Sequence, residues 1–230
     1  MVLNVAQKLD VSARFSALQI MQDAPVIPVI VLQDVGQAVL LARALVAGGI
    51  RMLEVTLRTP QALDCIEAIA RQVPEAVVGA GTVRTASDAQ SCAMAGARFA
   101  VSPGYTAAVA QACRDAGLPL LPGVATGSDI MAAQEQGLTE LKFFPALQAG
   151  GTAMLKAWNG PFSDVRFCPT GGVTLANAAT FLALPNVVCV GGSWLTPSLL
   201  IGNGDWAGIT ALAQQGSQLP RPPAHPSAKG

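Results

Sequence analysis

One histidine, His225, and five cysteines without a Cys-x-x-Cys pair are all that these 230 residues offer a transition metal besides carboxylates. A protein-held zinc takes three or four ligands, most of them His or Cys. The sequence therefore argues against a metalloenzyme, and no metal or other cofactor is expected. Cys65, Cys92, Cys113, Cys168 and Cys189 are odd in number and widely spaced, which excludes a disulfide framework. They read as small buried hydrophobes. Charge is scarce as well. Only 12% of residues are charged, and 14 basic residues balance 14 acidic ones. Nothing in that balance follows a nucleic-acid backbone, so nucleic acid is not an expected partner. Long apolar runs are missing too. The stretch 25–32 is far too short to cross a bilayer. The first segment, MVLNVAQKLDVSARFSALQIMQ, is broken by Lys8, Asp10 and Arg14. It reads as an amphipathic helix and not as a signal peptide. The expectation is a cytoplasmic protein with no membrane partner.

What is present is apolar and alternating. Hydrophobic residues make up 51% of the chain, enough for a sizeable core. Eight short apolar segments read as strands: VIPVIVL (26–32), MLEVTL (52–57), VVGAGTV (77–83), FAVSP (99–103), PLLPGVA (119–125), ELKFFPA (140–146), VRFCPTGG (165–172) and VVCVGGSW (187–194). Helical segments separate them. Asp34 can cap a helix over 35–47, and Thr59-Pro60 opens one over 60–72. Ser87, Thr106, Ser128 and Thr174 lie near further helix starts. Strand and helix in strict alternation predict a parallel α/β architecture. Eight units in so short a span predict a (β/α)8 TIM barrel with an extra N-terminal helix. A short internal repeat agrees: AGGIRMLEV, AGARFAVSP and QGLTELKFF each end a helix on glycine and enter a strand. Residues 1–218 form one expected domain. The segment 219–230 holds four prolines and little apolar mass, so it reads as a loosely held tail.

Side chains alternate faces along a strand. The outer face of a barrel strand meets helices and must be apolar. Leu53, Val55 and Leu57 then point outward, while Glu54, Thr56 and Arg58 point inward. Leu141 and Phe143 point outward, Lys142 and Phe144 inward. Ala80 shares a face with Thr82, and Cys168 with Thr170. The rule collects Glu54, Arg58, Thr82, Lys142, Phe144 and Thr170 around one cavity. Barrel active sites lie at the C-terminal strand ends, where Arg58, Thr82, Phe144 and Thr170 fall.

Lys142 stands apart from Lys8, Lys156 and Lys229 because it alone sits in a strand. Burying an ammonium is costly and favours the neutral amine. A neutral amine is the nucleophile that forms a Schiff base with a ketone. Lys142 and Glu54 could instead make a structural ion pair. Glu54 either balances a neighbouring cation or shuttles a proton. Arg58 is either a strand-end charge or a clamp on a substrate carboxylate. Two glycine loops, Thr170-Gly171-Gly172 and Gly191-Gly192-Ser193, follow the last two strands. Such loops bind phosphate in many barrels, and they also make plain tight turns. Trp158, Trp194 and Trp206 read as packing residues.

The segments PVIPVIVL, AGGIRMLEVTLRTP, VGAGTV, FAVSPG, LPGVAT, LKFFPA, RFCPTGG and VGGSWL resemble, in order, those of the 2-keto-3-deoxy-6-phosphogluconate (KDPG) aldolases, also described as 4-hydroxy-2-oxoglutarate (KHG) aldolases. The resemblance runs from about Ala24 to Asp205. It implies a class I aldolase on a (β/α)8 barrel, usually a homotrimer, in the Entner–Doudoroff pathway. It further implies that Lys142 is the Schiff-base lysine and Glu54 the general acid/base. Arg58 and Thr82 would bind the pyruvyl carboxylate, with Pro103 and Phe144 lining the pocket. Gly171, Gly172, Gly192 and Ser193 fall where the phosphate would bind, beside Thr170. The partner expected is a small phosphorylated keto acid, cleaved to pyruvate and glyceraldehyde 3-phosphate. Hydroxyoxoglutarate would give pyruvate and glyoxylate. Three other readings stay open on the residues alone: an aldolase for the 6-phosphogalactonate epimer, a phosphosugar isomerase or synthase without a covalent adduct, and a non-catalytic binding barrel.

Overall fold

The computed structural model describes residues 15–220. Its strands are β1 (Val26–Ile30), β2 (Met52–Thr56), β3 (Val77–Gly81), β4 (Ala100–Val101), β5 (Leu120–Leu121), β6 (Gly123–Val124), β7 (Glu140–Phe143), β8 (Arg166–Pro169) and β9 (Val190–Gly192). Its helices are α1 (Ala17–Asp23), α2 (Val35–Ala47), α3 (Ala62–Gln72), α4 (Ala86–Met94), α5 (Ala107–Asp115), α6 (Gly127–Gln134), α7 (Gly151–Trp158), α8 (Leu175–Leu182), α9 (Ser198–Gly202) and α10 (Trp206–Ser217). All strand pairs are parallel.

Local chemistry explains the boundaries. Asp34 caps α2 by accepting a hydrogen bond from the Gly36 N–H at 2.7 Å. Thr85 and Thr126 cap α4 and α6, each two residues before the serine that the sequence suggested. Asp88 and Asp129 complete their capping boxes from three residues on. Thr106 and Thr174 occupy the cap positions of α5 and α8. Thr59 does not cap α3. Its hydroxyl donates to the Leu32 carbonyl at 2.5 Å, and the helix begins at Ala62.

The fold is α/β, with a curled, open six-stranded parallel sheet flanked by helices. Its order is β5-β4-β3-β2-β1-β9, and a second sheet runs β6-β7-β8. The eight expected strands are thus all present, but their ladder is interrupted. Pro122 alone separates β5 from β6. Having no N–H, it cannot extend a ladder as a donor, although its carbonyl accepts from the Lys142 N–H at 2.8 Å. On the far side, the segments around β8 and β9 meet through two single bridges, Phe167 with Val187 and Thr170 with Gly191.

Two apolar clusters flank the strands. The larger holds Leu53, Val55, Leu141, Phe143 and the helix faces, as the alternation rule requires. The smaller joins Ile20 and Met21 of α1 to Ile27, Met52, Val77, Phe99, Leu121, Cys168 and Cys189. These strand residues lie mostly toward the N-terminal ends, so α1 covers that end of the strand interior. Arg51, just before β2, holds α1 in place through an Asp23 carboxylate at 2.6 Å. The amphipathic N-terminal helix therefore exists from Ala17, and its expected first residues lie outside the described ones. Leu219 packs against the core, inside the segment read as a tail, while 221–230 lie outside the described residues. Among the described residues, no helix is long and apolar enough to cross a membrane.

Candidate active site

Strand β2 carries Glu54 one alternation above Met52, and β7 carries Lys142 between the outward Leu141 and Phe143. The Lys142 Nζ donates to Glu54 Oε1 at 3.1 Å across 88 residues of chain. The two residues are 4% and 3% exposed, so each charge has the other as its counter-ion. The Phe144 ring lies 5.3 Å from the same nitrogen, within cation–π range. In register beside Lys142 are Gly123 on one side and Cys168 on the other. Gly123 is packed against the Pro103 carbonyl carbon and the Gly104 nitrogen so closely that no Cβ fits there. Pro103 thus stands one strand away from the lysine.

Arg58 and Thr82 reach the same end of the strands by a route that alternation does not describe. Arg58 lies two residues beyond β2, and its Nε donates to the Thr82 Oγ1 at 3.2 Å. Ala80 packs outward among Leu53 and Val55, so Thr82 does not share an inner face with it. The inner positions of β3 are Val77, Gly79 and Gly81. Thr82 turns back because its φ is 61°, the one positive φ among the described non-glycine residues. For a β-branched residue this is an outlier.

Thr170 follows β8, buried, with its hydroxyl 3.3 Å from the Cys168 carbonyl. It fills the space that a side chain on Gly191 would need. Gly171 and Gly172 follow with φ of 100° and 76°, which only glycine adopts freely. Gly192 lies under the Trp194 ring, and Ser193 beside it is exposed. The two loops therefore meet through Thr170 and Gly191. Among the described residues no three His, Cys, Asp or Glu side chains cluster as metal ligands.

A family model described as KDPG and KHG aldolase matches residues 18–212. The chain belongs to this family. It is 50% identical over 202 residues to the 2-dehydro-3-deoxy-phosphogluconate aldolase of Pseudoalteromonas atlantica, covering 88% of this chain and 94% of that protein. It is 51% identical over 200 residues to the KHG/KDPG aldolase of Escherichia coli K12, covering 87% and 94%. A crystal structure of the KDPG aldolase from Legionella pneumophila, with pyruvate captured at low pH as a covalent carbinolamine intermediate, superimposes with a TM-score of 0.87. Sequence identity there is 46%, over 90% of this chain and 100% of that one.

The arrangement matches the chemistry such an aldolase needs: an amine held against a carboxylate, out of water, with a guanidinium and a hydroxyl nearby. Sequence reasoning missed Gly81, which lies against the Glu54 side chain.

Proposed function

We propose that this chain is a class I aldolase that cleaves 2-keto-3-deoxy-6-phosphogluconate to pyruvate and glyceraldehyde 3-phosphate. It should also cleave 4-hydroxy-2-oxoglutarate to pyruvate and glyoxylate. The buried Lys142–Glu54 pair at 3.1 Å carries the reading. The Lys142 amine adds to the C2 ketone to give a carbinolamine, which loses water to become a protonated imine. Glu54 takes the proton of the C4 hydroxyl. The C3–C4 bond breaks, its electrons pass into the imine to form an enamine, and the aldehyde leaves. The same carboxyl group then returns a proton to C3, and water releases pyruvate. Since the imine holds the electrons, the mechanism needs no metal.

In this reading Arg58 and Thr82 bind the pyruvyl carboxylate, and Pro103 and Phe144 line its pocket. Thr170, Gly171, Gly172, Gly192 and Ser193 form the phosphate end, supported by the Thr170–Gly191 bridge that joins the two loops. The finer architecture is a closed (β/α)8 barrel. Its support is that Pro122 alone separates the two sheets on one side and that single bridges join β8 to β9 on the other. We assign 1–218 to one domain. The family resemblance supports a homotrimer in the cytoplasm, which sedimentation and cell fractionation test.

Borohydride reduction in the presence of pyruvate, followed by peptide mapping, tests the function. The label belongs on the peptide containing Lys142, with loss of activity. Labelling of Lys156 instead, or none, overturns the Schiff-base reading and leaves a non-covalent isomerase or a binding barrel.

A further inference from the structure

Gly81 ends β3 on the inner face, directly beside Glu54. A Cβ built on it would lie 2.6 Å from the Glu54 Cγ and 2.9 Å from Cδ, and closer still to Oε1. Contacts under 3.0 Å do not persist between such atoms. The glycine is not required by backbone conformation, because Gly81 is absent from the glycines with positive φ. It pairs in register with Thr56, whose hydroxyl donates to the Ile30 carbonyl at 2.9 Å and so has no part in the clash. What glycine provides here is room for one carboxylate.

We propose that Gly81 is a positioning residue for proton transfer: its missing side chain is the slot that holds the Glu54 carboxylate against Lys142. The inference rests on the reading of Glu54 as the acid/base group. The obstructed atoms belong to a side chain, not to backbone. Alanine at 81 can therefore be accommodated by swinging Glu54 aside, which takes its Oε1 off the lysine without deleting any reacting group. Lys142 keeps its nucleophilic nitrogen, while the proton shuttle loses its place.

Two partial reactions separate these effects. Trapping of pyruvate by borohydride reads Lys142. Exchange of the pyruvate methyl hydrogens for solvent deuterium, followed by NMR, reads proton transfer at C3. Gly81→Ala is expected to keep trapping within a few-fold and to lose exchange per trapped site by ~10²–10⁴-fold, as Glu54→Gln does. Gly79→Ala is the control on the same strand face, since the three nearest atoms to a Cβ there all belong to the Phe99 ring. It should keep exchange per trapped site. If Glu54→Gln leaves exchange intact, the assignment of Glu54 fails. If Glu54→Gln loses exchange and Gly81→Ala does not, the inference about Gly81 fails alone. Parallel loss of both reactions in Gly81→Ala and Gly79→Ala also overturns it, because that is generic crowding. Should Gly81→Ala not fold, Glu54→Ala is added to it. Recovery of folding in the double variant supports the slot, and a double variant as unfolded as the single one overturns it.

Discussion

Thr82 meets Arg58 through a hydroxyl that accepts from Nε at 3.2 Å, and it does so from a backbone at φ 61°. The left-handed conformation costs a residue with a Cβ roughly 1–2 kcal/mol. Thr82→Ala and Thr82→Gly both remove the hydroxyl, but only glycine also relieves the backbone. Losing a hydrogen bond to a charged group costs roughly 1.5–3 kcal/mol. Both variants should therefore lose about ten- to hundredfold in kcat/KM on phosphorylated and unphosphorylated substrates alike. Thr82→Gly should nevertheless unfold at higher denaturant than Thr82→Ala, by about 1 kcal/mol. The reverse order of stability would show that neighbouring packing, and not the φ value, governs this corner.

The Lys142–Glu54 pair invites a stability measurement independent of turnover. Removing one partner of a buried ion pair strands the other charge, at a cost of about 3–5 kcal/mol. Lys142→Met should lower the urea midpoint markedly. Adding Glu54→Gln should recover much of that loss, since both buried charges are then gone. The double variant would be inactive and more stable than Lys142→Met. If the second substitution adds to the first loss, the pair is not a mutual counter-ion system in solution.

How far the site was legible follows from which residues obey strand periodicity. Glu54 and Lys142 sit inside regular strands, where period two fixes the face, so apolar neighbours such as Leu53 and Phe143 revealed their direction. Thr82 was expected at the site through a face shared with Ala80, which points outward. It arrives there by a positive φ that no alternation rule contains. Gly81 carried no readable signal, because an absent side chain looks alike whether it serves a turn, a close backbone approach or a slot. The strand count was legible from apolar runs. The break in the sheet was not, because Pro122 lies within one such run, and a run of apolar residues does not report which N–H groups pair. Helix starts were legible to within two residues, since Thr85 and Thr126 stand beside serines of equal capping ability.

Three thiols give a pH dependence with a definite sign. Burial, reinforced by Asp88 and then by Cys113, pushes the Cys92 thiol up to about 12. Burial, then Asp64 and Asp34, pushes Cys65 to about 11, and burial alone pushes Cys113 to about 11. The folded state thus holds these protons more tightly than the unfolded chain, whose thiols titrate near 9. Their stabilising contribution is complete below pH 9 and is lost as pH rises through 9 toward 12. The melting temperature should fall across that range, and less steeply in Cys92→Ala than in the parent. At pH 8 the native protein should resist alkylation at all three cysteines. Rapid modification of Cys92 in folded protein would contradict its burial.

The phosphate loops offer a test with an internal control. Ser193 is exposed beside Gly192, in the loop that Thr170 joins to the opposite loop through Gly191. If these loops hold the phosphate, Ser193→Ala removes one hydrogen bond to a charged group, worth roughly 1.5–3 kcal/mol. The kcat/KM for 2-keto-3-deoxy-6-phosphogluconate should fall about ten- to hundredfold. Gly192→Asp should do worse. It places negative charge where the phosphate would sit, and its Cβ would collide with the Trp194 ring. Cleavage of 4-hydroxy-2-oxoglutarate, which lacks a phosphate, should change far less in Ser193→Ala. Both substrates share the pyruvyl half, which Lys142, Arg58 and Thr82 are proposed to hold, so their ratio cancels any general damage to the fold. Equal losses on the two substrates would assign Ser193 to loop structure and move the phosphate elsewhere.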